Sequence, residues 1–120
     1  MPDPTPKPGW DKSPPDLVDR FMEVTAARPA VTFRKMFGYP AAFLNGNLTT
    51  GLHQATWFVR LSESDAAELL GGGGGPFEPM PGRAMRGYIV LSPADAADVG
   101  AAGAWVDRAI AHVATLPPKK

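Results

Sequence analysis

Hydrophobic and polar positions change period along this chain. From Asp16 onward, Leu17, Val18, Phe21 and Val24 recur at the spacing of one helical face, with Asp19, Arg20 and Glu23 between them. The pattern predicts a first helix from about Pro15 to Ala27, stopping before Pro29 because the residue ahead of a proline is pushed out of helical geometry. Past Pro29 the period shortens. Val31, Phe33 and Lys35 alternate with Thr32, Arg34 and Met36, which predicts a first strand. Gly38-Tyr39-Pro40 is expected to break it. Ala41 to Leu44 then leads into Asn45-Gly46, and Asn-Gly between apolar runs predicts a hairpin, because both central residues of a type I′ turn need positive φ. A further strand follows at Thr56 to Leu61, with Trp57, Val59 and Leu61 on one face and Phe58 and Arg60 on the other.

The second half carries the remaining elements. Ser62-Glu63-Ser64-Asp65 offers a helix cap ahead of Ala66 to Leu70. The glycine run 71–75 orders at high entropic cost and predicts a mobile loop, continued by the extended stretch Pro76 to Pro81. Gly87 to Leu91 reads as the fifth strand. Ser92-Pro93 caps and opens a helical turn through Asp98. The last helix, about Ala101 to Leu116, sets Val106, Ala109, Ile110 and Val113 in one stripe, with Trp105 and Leu116 at its margins. The order is helix, about five antiparallel strands, helix: an α+β domain with helices against one sheet face. At 120 residues the chain supports one domain, placed at residues 16–116, with a Pro-rich extended tail over 1–15 and a short tail over 117–120. Trp10 is the one large apolar group of the first tail, either packed on the domain or projecting toward a partner.

Composition narrows the function classes. Lys plus Arg and Asp plus Glu each number 12, so no global charge draws the protein to nucleic acid or to an anionic membrane. Cysteine is absent, which excludes disulfides, thiolate nucleophiles and Cys-based metal sites. No apolar run spans a bilayer and the start lacks a signal-peptide pattern, so a cytoplasmic protein is expected. His53 and His112 lack metal-site spacing. The serines at 13, 62, 64 and 92 sit at turns and caps outside Gly-x-Ser-x-Gly, and the glycine run lacks the Lys-Ser/Thr ending of a phosphate cradle. The expectation is a non-enzyme without cofactor or metal.

Arg34-Lys35-Met36-Phe37-Gly38, the Asn45-Gly46 hairpin, Trp57 to Leu61, Phe77, Met85 and the Gly87-Tyr88 strand together resemble the N-terminal domain of the TfoX/Sxy family. The resemblance covers about residues 16–116 and rests chiefly on the Met-Phe-Gly block. It implies a sheet-and-helices fold shared with secretion-chaperone-like domains. The best-known members are bacterial competence regulators that carry a second, helical C-terminal domain, whereas a stand-alone N-terminal domain is expected here. Tyr39-Pro40 departs from the small residues that many members carry after the block.

Two readings of the block stay open. In one, Arg34 or Lys35 joins Arg60 and backbone amides near Gly38 in an anion site, with Tyr88 nearby. In the other, which is favoured, the charges are solvated and Met36 and Phe37 plug the core. The functional expectation is a small binding or adaptor domain acting through an unknown protein partner or as a homodimer across an open sheet edge or face. The alternative is a domain binding a small molecule or anion in a pocket between the sheet and the Phe77 to Met85 loop. Direct DNA binding, with Arg34-Lys35 and Arg83-Arg86 as its best patch, is the weaker reading, and no membrane role is expected.

Overall fold

The computed structural model describes residues 12–80 and 82–118, so Trp10 and most of the Pro-rich tail lie outside the described residues. Helix α1 spans Pro15–Ala26, with proline in its first turn, where the missing N–H costs nothing. Four strands follow: β1 Thr32–Met36, β2 Tyr39–Leu44, β3 Asn47–His53 and β4 Thr56–Arg60. Helix α2, Glu63–Gly71, starts where the Ser62 Oγ accepts the Asp65 N–H at 3.2 Å. Short strand β5, Gly75–Pro76, and strand β6, Tyr88–Val90, complete the sheet, and helices α3, Pro93–Ala96, and α4, Val99–Val113, close the chain. Ser92 caps α3 in the manner of Ser62, so both serines are accounted for by helix starts.

All neighbouring strands run antiparallel, in the order β1-β2-β3-β4-β6-β5. The fold is α+β as the alternation and spacing imply, with one strand more than the five expected. Both Asn45 and Gly46 have positive φ, at 53° and 81°, as the type I′ reading of that hairpin requires. Helices α1 and α4 cover one sheet face. Leu17, Phe21 and Val24 from α1, and Ala102, Val106 and Ala109 from α4, pack on Ala42, Leu52, Trp57, Val59, Leu61, Ile89 and Leu91. Trp57 sits at the centre of this layer, edge-on to Phe21 at 5.4 Å, and its indole N–H donates to the Thr50 Oγ1 at 2.9 Å. That hydroxyl in turn donates to the Phe58 carbonyl at 2.8 Å, so the one polar atom of the ring is satisfied inside the core.

Arg28 ties the end of α1 to α4. Its guanidinium donates to the Val24 and Gly103 carbonyls at 2.9 and 3.2 Å and to both carboxylate oxygens of Asp107 at 2.7 and 3.1 Å. Gly103 makes room for it, since a Cβ there would lie 2.8 Å from the guanidinium. Arg108 lies over the Trp105 ring and pairs with Asp65 and Glu68, which fastens α4 to α2.

The glycine run is ordered, contrary to the mobile loop expected of it. Gly71 ends α2, the Gly72 and Gly74 amides donate to carbonyls of the last helical turn, and Gly75 already belongs to β5. Gly74 passes so close to its neighbours that a Cβ would meet the Val90 carbonyl oxygen at 2.7 Å and the Leu69 side chain at 2.8 Å. The stretch beyond Pro76 also departs from a simple extended segment. It folds back, with the Phe77 N–H donating to the Tyr88 carbonyl, the Met85 N–H to Phe77 and the Arg83 N–H to Met80.

Candidate functional site

Cross-strand register fixes which side of the sheet each candidate residue occupies, because directly opposed residues share a face. Phe33 opposes Ala42 of the core, which puts Phe33 and Lys35 on the helix side. Thr32, Arg34 and Met36 therefore face the other way, toward the side crossed by the Phe77 loop. The expectation that Arg34 and Lys35 point to opposite faces holds. The Arg34 guanidinium lies over the Phe43 ring at 5.4 Å.

The break between β1 and β2 comes one residue earlier than expected. Met36 pairs with Tyr39, so the turn is Phe37-Gly38, and Tyr39-Pro40 opens β2 instead of breaking β1. Both turn residues have positive φ, at 56° and 84°. This shift reverses a further expectation. Phe37 does not plug the core: it projects from the hairpin tip, 73% exposed. Tyr39, placed by this shift on β2, is buried against His53, with ring centroids 5.3 Å apart. Met36 is half-buried.

Arg60 and Tyr88 meet, as register partners on β4 and β6, with the guanidinium over the phenol ring at 5.4 Å. The Tyr88 hydroxyl donates to the Leu48 carbonyl at 3.3 Å. Burial pushes the phenol above its ordinary range, and the Arg60 charge works against that rise. The two basic groups of β1 lie elsewhere. β2 and β3 stand between β1 and β4, and at about 4.8 Å per strand that separation is roughly 14 Å. The Arg34 and Arg60 guanidinium groups lie over different rings, Phe43 and Tyr88.

Between these positions lies an aromatic cluster that sequence reasoning did not find. Phe77 stacks on Phe58 with centroids 4.2 Å apart and planes 16° from parallel, and both rings approach Tyr88. His53 sits between Tyr39 and Phe77, and burial lowers its pKa from the usual 6.5. Gly51 leaves space for the Phe58 ring, whose Cζ lies only 2.7 Å from where a Cβ would stand. The one available signal was the opposition of Gly51 and Phe58 across the predicted strands. Phe77, the first residue of the loop in the alternative expectation, is buried in this ring packing.

Among the described residues, no group of three His, Asp or Glu is placed to hold a metal ion, and no helix is long and apolar enough to cross a membrane. The arginines on and just after the helices are occupied: Arg20 pairs with Asp16, Arg28 with Asp107, and Arg108 with Asp65 and Glu68. Arg34-Lys35 and Arg83-Arg86 spring from opposite sides of the sheet order, the first pair from its β1 edge and the second from the loop entering β6.

Comparison with protein families gives a match over residues 23–113 to the TfoX N-terminal domain. That span contains the whole sheet, the last turn of α1 and all of α4. No curated protein and no solved structure matches the chain.

Proposed function

Since the chain belongs to the TfoX N-terminal domain family, we propose that it is a non-enzymatic, cytoplasmic binding domain that works through protein contacts at the β1–β2 hairpin. Phe37 carries this reading. A large apolar ring at a hairpin tip forgoes the stabilisation of burial, and a positive φ adds about 1–2 kcal/mol of backbone cost for a residue with a Cβ. Neither cost returns anything to the fold. Both are accounted for if the ring inserts into another protein, as exposed aromatics at interfaces do. Phe33, 44% exposed on β1, adds a second exposed ring on the strand that leads to the tip. In this reading a family member with a second domain, such as a competence regulator, uses the present domain as its protein-contact half.

Photo-cross-linking tests it. A benzophenone amino acid replaces Phe37 in the full chain expressed in its own cells, and a control variant carries it at Leu70, exposed on α2. Protein adducts at position 37, absent from position 70, are the expected result. Adducts at neither position, or equally at both, sink the hairpin as a contact site. A small molecule retained in native mass spectrometry, with no adduct at 37, moves the function to ligand binding.

A further inference from the structure

Strand β1 is an edge of the sheet. It pairs with β2 on one side, and among the described residues no backbone hydrogen bond is made from its other side. Thr32 to Lys35 are all exposed. An open edge of this kind invites a further strand, and proteins guard such edges with charge. The guard here has a particular geometry: Arg34 and Lys35 are consecutive, so their charges leave the strand on opposite faces.

That geometry selects among occupants. A single small anion cannot be held by both groups, because they diverge. A second copy of this chain is disfavoured: two-fold antiparallel pairing over the full strand sets Arg34 opposite its own equivalent and Phe33 opposite Lys35. Nucleic acid offers phosphates but no ladder of N–H and C=O groups to match an open strand edge. A β-strand with two consecutive acidic residues fits, since opposed residues share a face and each acid meets one base. Apolar residues before and after the acids would lie by Phe33 and toward Phe37. We propose that β1 is a strand-addition site for an extended acidic segment of a partner protein, with consecutive acidic residues opposite Arg34 and Lys35 and apolar residues flanking them. The proposal rests on the protein-contact reading above and names the chemistry of the partner.

The test uses the isotope-labelled full chain and synthetic peptides of alternating Thr and Val around a central Glu-Glu or Lys-Lys. Binding is read by amide hydrogen exchange and by fluorescence anisotropy of the labelled peptide. The Glu-Glu peptide is expected to slow exchange at the outward amides of β1 and to bind at least about tenfold more tightly than the Lys-Lys peptide, the combined effect of two opposed charge pairs. In the double variant Arg34→Glu with Lys35→Glu the preference should reverse, a gain of binding that a misfolded variant cannot give. Unchanged exchange at β1 under saturating Glu-Glu peptide overturns the proposal, as does equal binding of the two peptides. So does protection of β1 that rises with protein concentration alone, which assigns the edge to a second copy. Equal protection by a short single-stranded oligonucleotide overturns it in favour of polyanions at large. If adducts form at position 37 while the peptide fails, the contact domain stands and strand addition falls. If the peptide succeeds without adducts at 37, strand addition stands and the hairpin tip falls as the point of contact.

Discussion

Phe37 occupies a turn position at which glycine or asparagine is the ordinary residue, and no packing gain compensates. Phe37→Asn is therefore expected to stabilise the isolated protein by about 0.5–1 kcal/mol, read as a rise in thermal midpoint, because asparagine tolerates positive φ and little burial is lost. A drop in stability on this change would mean that the ring supports the fold, and the contact role would lose its basis. The block was legible in part. Gly38 was expected to break the strand, and with a φ of 84° it closes the turn that does so. The opposite facing of Arg34 and Lys35 followed from strand period alone. What the sequence could not settle was the turn's position, because an alternating pattern does not say whether Phe37 ends the strand or begins the turn. A shift of one residue exchanges the fates of Phe37 and Tyr39, one exposed and the other buried.

Helices and hairpins were the most readable elements, since their signals are local: a proline-opened first helix, serine caps, an Asn-Gly turn. The glycine run was not, because composition alone cannot distinguish glycines that are free from glycines that are confined. Gly71 ends a helix with no atom within 4 Å of an added Cβ, whereas at Gly74 the Cβ would press on the Val90 carbonyl oxygen and on Leu69. These two positions should respond oppositely to the same change. Gly71→Ala should stabilise by about 0.4–1 kcal/mol through the unfolded chain. Gly74→Ala should destabilise by about 1–3 kcal/mol, because the obstructing atoms include the backbone carbonyl oxygens of Val90 and Leu69. Denaturant midpoints of the two variants measure both. Equal and small effects would restore the picture of a slack linker.

At the scale of the whole molecule, the sheet order decides which residues meet, and it is the part least written in local pattern. β6 lies between β4 and β5, so the chain returns to the sheet after α2 and brings Tyr88 beside Arg60, across 28 positions of sequence, while β1 is left at the far edge. The helix layer centres on β3 and β4, and beyond it β1 keeps an exposed Phe33 and an open ladder. Arg34 and Lys35 are then the main obstacle to self-pairing. Replacing both with threonine, a strand former that presents no charge, removes the repulsion of the full-overlap register and leaves Phe33 facing its own equivalent's neighbourhood. The expected result is concentration-dependent association through β1, seen in sedimentation velocity as a shift toward dimers or larger species that the unmodified chain lacks at the same concentration. If the double variant sediments as the unmodified chain does, charge is not what keeps this edge from its own kind, and the selectivity argued for an acidic strand loses its physical ground. If association appears and is suppressed by adding back Lys35 alone, a single charge on the helix side suffices to guard the edge, and Arg34, already stacked on Phe43, is free to meet a partner.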